Sequence, residues 1–130
     1  MNTLYDLDEQ RRSDLAKQLL LVLNEWGIEP EHQIILLGLP DDTRPRTLNR
    51  YRTGTPFPED ESFLQRAHYI LSIKNAVDSI YPHNEKAASY WVTTSNWFFN
   101  DKTPLEIMLA QGIEGMKQVI DHLNGTDQWS

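Results

Sequence analysis

The sequence contains no cysteine. That excludes a disulfide framework, a thiolate metal site and a cysteine nucleophile, and it is consistent with a reducing compartment. No apolar run approaches the ~18–20 residues of a membrane-spanning helix, so no membrane association is expected. The opening stretch Met1-Asn2-Thr3-Leu4-Tyr5-Asp6 lacks the basic-then-apolar order of a secretory leader. The expected location is cytoplasmic. Internal repeats, low-complexity tracts and alternating strand patterns are also missing. So are a glycine-rich phosphate loop and a G-x-S-x-G elbow. His32, His68, His83 and His122 are widely separated, and none stands at a ligand spacing from another. The acidic runs Asp41-Asp42 and Glu59-Asp60-Glu61 read as helix-start chemistry. No catalytic residue, metal ligand or cofactor follows from any of these, and the chain is not expected to be an enzyme.

The chain has 130 residues, enough for one compact domain or two very small ones. Its net charge of −7 argues against broad binding to nucleic acid or anionic lipid. The charge is uneven, however. Between Thr43 and Pro58 stand Arg44, Arg46, Arg50 and Arg52 with no acid among them, and acids crowd both flanks.

Helical periodicity dominates. Leu15, Leu19, Val22, Leu23 and Trp26 share one face of a first helix that Gly27 ends. Pro30 opens a short second helix carrying the apolar run Ile34 to Leu37, closed by Gly38. Asp42 or Thr43 can cap a third helix with Pro45 in its first turn, closed at Thr53-Gly54. Pro58-Glu59-Asp60-Glu61 starts a long fourth helix. Phe63, Ala67, Ile70, Leu71, Val77, Ile80 and Tyr81 share its face, and Pro82 ends it. Asn84 caps a short helix with Ala87, Ala88, Trp91 and Val92. Thr103-Pro104-Leu105-Glu106 reads as a capping box that opens another, with Leu105, Met108 and Leu109 inward. Met116, Val119, Ile120 and Leu123 mark a last helix stopped by Asn124-Gly125. The expected fold is an all-α, small multi-helix bundle. Residues 1–58 form an N-terminal, helix-turn-helix-like part, residues 59–125 the long helix and a further helical part, and residues 126–130 a flexible tail.

Two features ask for a function. On the third helix, Leu48 and Tyr51 suit the core while Arg46 and Arg50 fall opposite, with Asn49 beside them. Arginine and asparagine clamp phosphates and read guanine and adenine edges. Arg44, Arg46, Asn49, Arg50 and Arg52 are therefore candidate DNA contacts; the alternative is a solvated basic face paired with the acidic flanks. The second feature is aromatic: Tyr90 and Trp91, then Trp97, Phe98 and Phe99. Trp91 lies on the apolar face of its helix and is expected in the core. The three consecutive aromatics cannot all point inward from a short loop, so at least one is expected at the surface or an interface, where aromatics carry much of the binding energy. The alternative is a plug closing one end of the core.

Three stretches together resemble the Xre/MbcA/ParS antitoxin family: Arg50-Tyr51-Arg52-Thr53-Gly54-Thr55-Pro56-Phe57-Pro58, Ala88-Ser89-Tyr90-Trp91-Val92-Thr93-Thr94-Ser95-Asn96 and Lys102-Thr103-Pro104-Leu105-Glu106-Ile107-Met108-Leu109. The likeness runs from about Leu36 to Leu123. It implies an all-α protein with an Xre-like helix-turn-helix and a C-terminal toxin-binding domain, commonly a homodimer, without catalytic residues. The implied partner is a toxin, of the RES-domain type that degrades NAD or of an ADP-ribosylating type, and many members repress their own operon. By position the toxin-binding motif falls on Trp91, Thr94, Asn96, Thr103, Pro104, Leu105 and Glu106. The contact residues expected here are Trp97, Phe98, Phe99, Asn100, Lys102, Thr103, Pro104 and Glu106. The sequence departs from the family pattern where Asn100-Asp101 replaces the usual Gly-Gly. Asparagine and aspartate tolerate left-handed backbone better than other non-glycine residues, so a tight turn can survive there. Pro40 to Pro45 reads as extra length in the helix-turn-helix. The expected function is a type II antitoxin that binds toxin and operator; the alternative is an interaction module of the same fold that has lost DNA binding.

Overall fold

The computed structural model describes residues 8–129, with side chains to residue 125. Among these residues it holds seven α-helices and no strand beyond an isolated bridge, so the fold is an all-α multi-helix bundle. The helices are α1 (Glu9–Glu25), α2 (Pro30–Leu37), α3 (Thr47–Arg52), α4 (Glu61–Ile80), α5 (Ala87–Thr93), α6 (Pro104–Gln111) and α7 (Ile113–Trp129), with a 3₁₀ turn at Trp97–Phe99 between α5 and α6. Two compact units divide at His68 and Tyr69. The division falls within α4, ten residues beyond the boundary expected at 58/59.

In the first unit, α1 begins where the Asp8 carboxylate accepts the Arg11 N–H at 2.8 Å. Its face Ala16, Leu19, Leu20, Val22, Leu23 and Trp26 is buried; Leu15, expected with them, is half-buried. Gly38 closes α2 in the left-handed region at φ 74°. There the Arg66 guanidinium donates to the carbonyls of Ile35 at 3.4 Å and Leu36 at 3.2 Å, setting a cation on the negative end of the α2 dipole.

The third helix is shorter than expected. It starts at Thr47, not in the turn of Pro45. Arg44, as the residue before a proline, is biased away from helical backbone. The first bonds after Pro45 are of the tight i→i−3 kind: Thr47 to Arg44, Leu48 to Pro45 and Asn49 to Arg46. The order of α2 and α3 matches a helix-turn-helix, but the connection runs over residues 38–46, against the 3–4 residues of a tight motif. Helix α3 packs chiefly against α1.

Phe57 is fully buried. Its ring lies 5.1 Å from Tyr51 and 5.3 Å from Phe63. The Arg12 guanidinium donates to its carbonyl at 2.9 Å and to Glu59 at 2.9 Å, and the Ser13 hydroxyl donates to the Gly54 carbonyl at 2.6 Å. The stretch from Gly54 to Glu59 is thus tied onto α1 by hydrogen bonds and one buried ring.

In the second unit, Ile70, Ile73, Val77, Ala87, Ala88, Val92, Phe99, Ile107, Met108, Met116, Val119, Ile120 and Leu123 are buried. Tyr81, expected on the inner face of α4, is exposed. It lies one residue past the helix, where the helical phase no longer applies. On α6, Ile107 and Met108 are the buried pair, while Leu105 and Leu109 are half-buried. Helices α6 and α7 cross tightly at Gly115. A Cβ there would overlap the Ile107 carbonyl oxygen and stand 3.1 Å from Met108 Cα.

Helix α7 runs through Asn124-Gly125, the expected stop, to Trp129. Gly125 does not take positive φ, and a glycine inside a helix costs about 1 kcal/mol relative to alanine without ending it. The side chains of the expected flexible tail, residues 126–130, lie outside the described residues. Among the described residues no helix is long and apolar enough to cross a membrane, and no cluster of histidine and carboxylate side chains could hold a metal ion.

Candidate partner-binding site

The aromatic segment is held by a closed turn. Helix α5 ends as the Thr93 hydroxyl donates to the Ser89 carbonyl and the Thr94 hydroxyl to the Tyr90 carbonyl, occupying acceptors the helix end leaves over. The chain then turns extended at Thr94, and Asn96 pairs with Lys102 in an antiparallel bridge. Every bond of the intervening loop is local. Asn96 N–H donates to the Lys102 carbonyl at 3.1 Å, Asp101 N–H to the Asn96 carbonyl at 3.0 Å, and Lys102 N–H to the Phe99 carbonyl at 3.2 Å. The Asn96 side chain accepts the Phe98 N–H at 2.9 Å and so caps the 3₁₀ turn.

Asn100 and Asp101 sit at φ 58° and 65°, both left-handed. The tight turn expected at this pair forms, because asparagine and aspartate pay less steric cost in this region than other side chains. Directly after it, Thr103 and Glu106 form the expected capping box. The Thr103 hydroxyl accepts the Glu106 N–H at 2.9 Å, and the Glu106 carboxylate accepts the Thr103 N–H at 2.9 Å. The Thr103 N–H first, and the Thr103 side chain after it, hold the Glu106 carboxyl below its ordinary pKa. Pro104 fills the first helical position.

The turn sorts its aromatics. Phe99 is buried, whereas Trp97 is 82% and Phe98 52% exposed. The interior reading therefore holds for Phe99, while Trp97 and Phe98 lie at the surface. Their rings are set edge to face, Trp97 to Phe98 at 6.1 Å and Phe98 to Phe99 at 5.3 Å. Asn100, Lys102 and Glu106 are exposed, Thr103 is half-buried and Pro104 is buried. Of the eight expected contact residues, Phe99 and Pro104 thus support the surface from beneath. Trp91 is half-buried rather than core, its ring 6.4 Å from His122.

Beside the turn lies an open groove of about 490 Å³ lined by Phe98, Phe99, Asn100 and Lys102 from the turn, Ile107 and Gln111 from α6, and Gln118, Asp121 and His122 from α7. The α7 wall was not anticipated from sequence. Its signal was helical spacing: Gly115, Val119 and His122 stand at i, i+4 and i+7, which places His122 at the rim of the apolar face. The imidazole stacks on Phe98 at 4.1 Å and meets the edge of Phe99 at 5.3 Å. Burial lowers its pKa from the ordinary value of about 6.5.

The basic patch is built differently. Arg44, Arg46, Asn49, Arg50 and Arg52 are all exposed, and Leu48 is buried beneath them as expected. Arg52 donates to the Asn49 side chain at 2.7 Å, so these two candidate DNA contacts are engaged with each other.

No curated protein matches the chain. The turn and the residues that line its groove lie within residues 76–128, which match the family model of the antitoxin Xre/MbcA/ParS C-terminal toxin-binding domain.

Proposed function

We propose that this protein is the antitoxin of a type II toxin–antitoxin pair, and that it neutralises its toxin by direct contact through the turn Trp97–Lys102 and the adjoining groove. The observation that carries this reading is Trp97. A tryptophan 82% exposed on a turn closed by local hydrogen bonds costs solvation without aiding the core, and such aromatic anchors are what protein interfaces use most. The toxin is of the RES-domain, NAD-degrading type or of an ADP-ribosylating type, as in the family the chain resembles. The antitoxin acts in the cytoplasm as a homodimer.

Growth rescue tests the contact. Co-expression with the product of the neighbouring open reading frame should restore growth, and Trp97→Ala or Phe98→Ala should abolish that rescue while leaving the helical circular dichroism unchanged. A truncated anchor of this kind costs about 2 kcal/mol or more of binding, roughly thirtyfold in Kd. Full rescue by both variants would remove the turn from the interface.

Repression of its own operon is the second half of the proposal, and Arg44, Arg46 and Arg50 are the side chains available for phosphate. The competing reading is a toxin-binding module that has lost DNA binding. The long α2–α3 connection, the short α3 and the Arg52–Asn49 pair favour that reading. Binding to the protein's own upstream DNA at low salt discriminates the two.

A further inference from the structure

We infer that Arg52 is the positioning residue of the basic patch and not one of its contacts: Asn24 on α1 and Asn49 on α3 hold its guanidinium between them, and buried Gln33 on α2 anchors Asn24. This deepens the operator half of the proposed function. The consequence for DNA rests on that reading; the hold on Arg52 does not.

Arg44, Arg46 and Arg50 make no side-chain hydrogen bond or ion pair with the described residues. Arg52 is built differently, although it too is exposed. Its Nη1 donates to the Asn49 side chain at 2.7 Å. Its opposite edge, Nε and Nη2, stands 3.2 Å from the Asn24 carboxamide. On its other side the same carboxamide meets Gln33 Nε2 at 2.9 Å. Gln33 is 2% exposed, and the Ile28 carbonyl accepts from its Nε2 at 2.8 Å. That bond fixes the Gln33 amide with its nitrogen toward Asn24. A polar relay thus runs from α2 through α1 to α3.

Asn24 therefore faces donors on both sides with a single oxygen to offer. Turned to Arg52, that oxygen accepts from both nitrogens of a charged fork, the stronger kind of bond. Turned to Gln33, it serves a donor buried away from water. Gln33 Oε1 has no partner among the described residues, so turning the Gln33 amide would only exchange one unserved atom for another and set its oxygen against the Ile28 carbonyl. The relay is one acceptor short. The place of Arg52 in the fold points the same way. Asn24 and Arg52 lie in the last turns of α1 and α3, where the negative ends of the helix dipoles favour a cation and oppose a phosphate. Held there, Arg52 fixes the last turn of α3 against α1, and with it the face that carries Arg46 and Arg50.

Hydrogen exchange of the arginine Nε–H groups, read by NMR in the full chain, tests the hold. Arg52 should exchange roughly tenfold more slowly than Arg50, the worth of a charge-assisted bond. Asn24→Asp gives each donor its own oxygen and should slow Arg52 further. Asn24→Leu should return Arg52 to the rate of Arg50. Equal rates for Arg52 and Arg50 in the wild type, or an Arg52 that ignores both Asn24 variants, would overturn the inference. The second arm is affinity for the protein's own upstream DNA as a function of salt. Arg52→Ala and Arg52→Lys should weaken binding alike, roughly fivefold and with the salt slope unchanged, because lysine keeps the charge but has no fork. A slope lower by about 0.9 in Arg52→Ala, with binding kept in Arg52→Lys, would make Arg52 a phosphate contact and end the positioning role. Slow exchange at Arg52 with no DNA binding at low salt would sink the operator reading and leave the hold on Arg52 standing.

Discussion

The basic patch on α3 and the aromatic turn before α6 both stand out in the sequence, and they are built on opposite terms. The patch places arginines on a six-residue helix, and its main internal bond joins Arg52 to Asn49. Long cationic side chains are at home in water, so a solvated face explains them without any ligand. The turn presents Trp97 and Phe98 to solvent on a backbone whose groups bond within seven residues, flanked by a capping box and stacked on a histidine from another helix. Exposed aromatic area is unfavourable unless something covers it, whereas exposed arginine is not. The same degree of exposure is therefore weak evidence of function in one region and strong evidence in the other.

That contrast can be attacked in order of expected effect. Gly115→Ala should be the most damaging to the turn region. The added methyl meets the Ile107 backbone, and overpacking of this kind costs about 1–3 kcal/mol, which denaturant unfolding would read as a lower midpoint. An unchanged midpoint would mean that α6 and α7 are not seated as closely as described.

Thr103→Ala should cost less, about 1 kcal/mol, by removing the cap of α6. It also has a pH signature. Glu106 has a lowered pKa in the folded chain, so the contribution of its carboxylate is present above its unfolded value and fades as pH falls through the folded one. The stability gap between wild type and Thr103→Ala should therefore narrow below about pH 4. His122 runs the other way in origin but the same way in pH. Its folded pKa is lowered by burial, so below about 6.5 the unfolded chain binds a proton that the folded chain resists, and stability declines as pH falls. His122→Phe should flatten that decline, which separates the two contributions.

The smallest stability effect belongs to the patch. Arg46→Ala with Arg50→Ala should shift stability by no more than about 0.5 kcal/mol, as exposed substitutions do. Any larger cost would appear in the proposed DNA binding. Each phosphate neutralised adds about 0.9 to the slope of log affinity against log salt, so the double variant should lower that slope by about 2 per protomer. Wild-type protein with no salt-dependent affinity for its own upstream DNA would leave the patch as a solvated face and make the contrast between the two regions complete.

Much of the fold was readable because its signals are local. Apolar spacing placed the helices, and the Thr103-Glu106 box identified the start of α6 because both of its bonds lie within four residues. A tight turn at Asn100-Asp101 was implied by the family resemblance, and the steric tolerance of those side chains for left-handed backbone said that it could survive there. The errors cluster where local and tertiary preferences compete. Pro45 marked a helix start correctly in kind but two residues early, since the residue before proline resists helical backbone. Gly125 looked like a stop because a glycine that ends a helix and one that merely sits in it have the same name. Phe57, between two prolines, gave no periodic signal at all, and its burial depends on Arg12 and Ser13 more than forty residues away.

The sequence by itself determined the helical class, the caps and the presence of more aromatics than a short loop can hide. Each of these is a matter of backbone sterics or of hydrogen bonds between near neighbours. Which aromatics face outward was decided only by the tertiary structure. Phe99 goes in and Trp97 stays out because the 3₁₀ turn points successive side chains in different directions, and α6 and α7 offer an apolar seat for just one of them. The same holds for His122. No spacing along the chain connects it to Phe98, and it becomes part of the site only when the close crossing at Gly115 lays α7 against α6 and brings its imidazole under the turn.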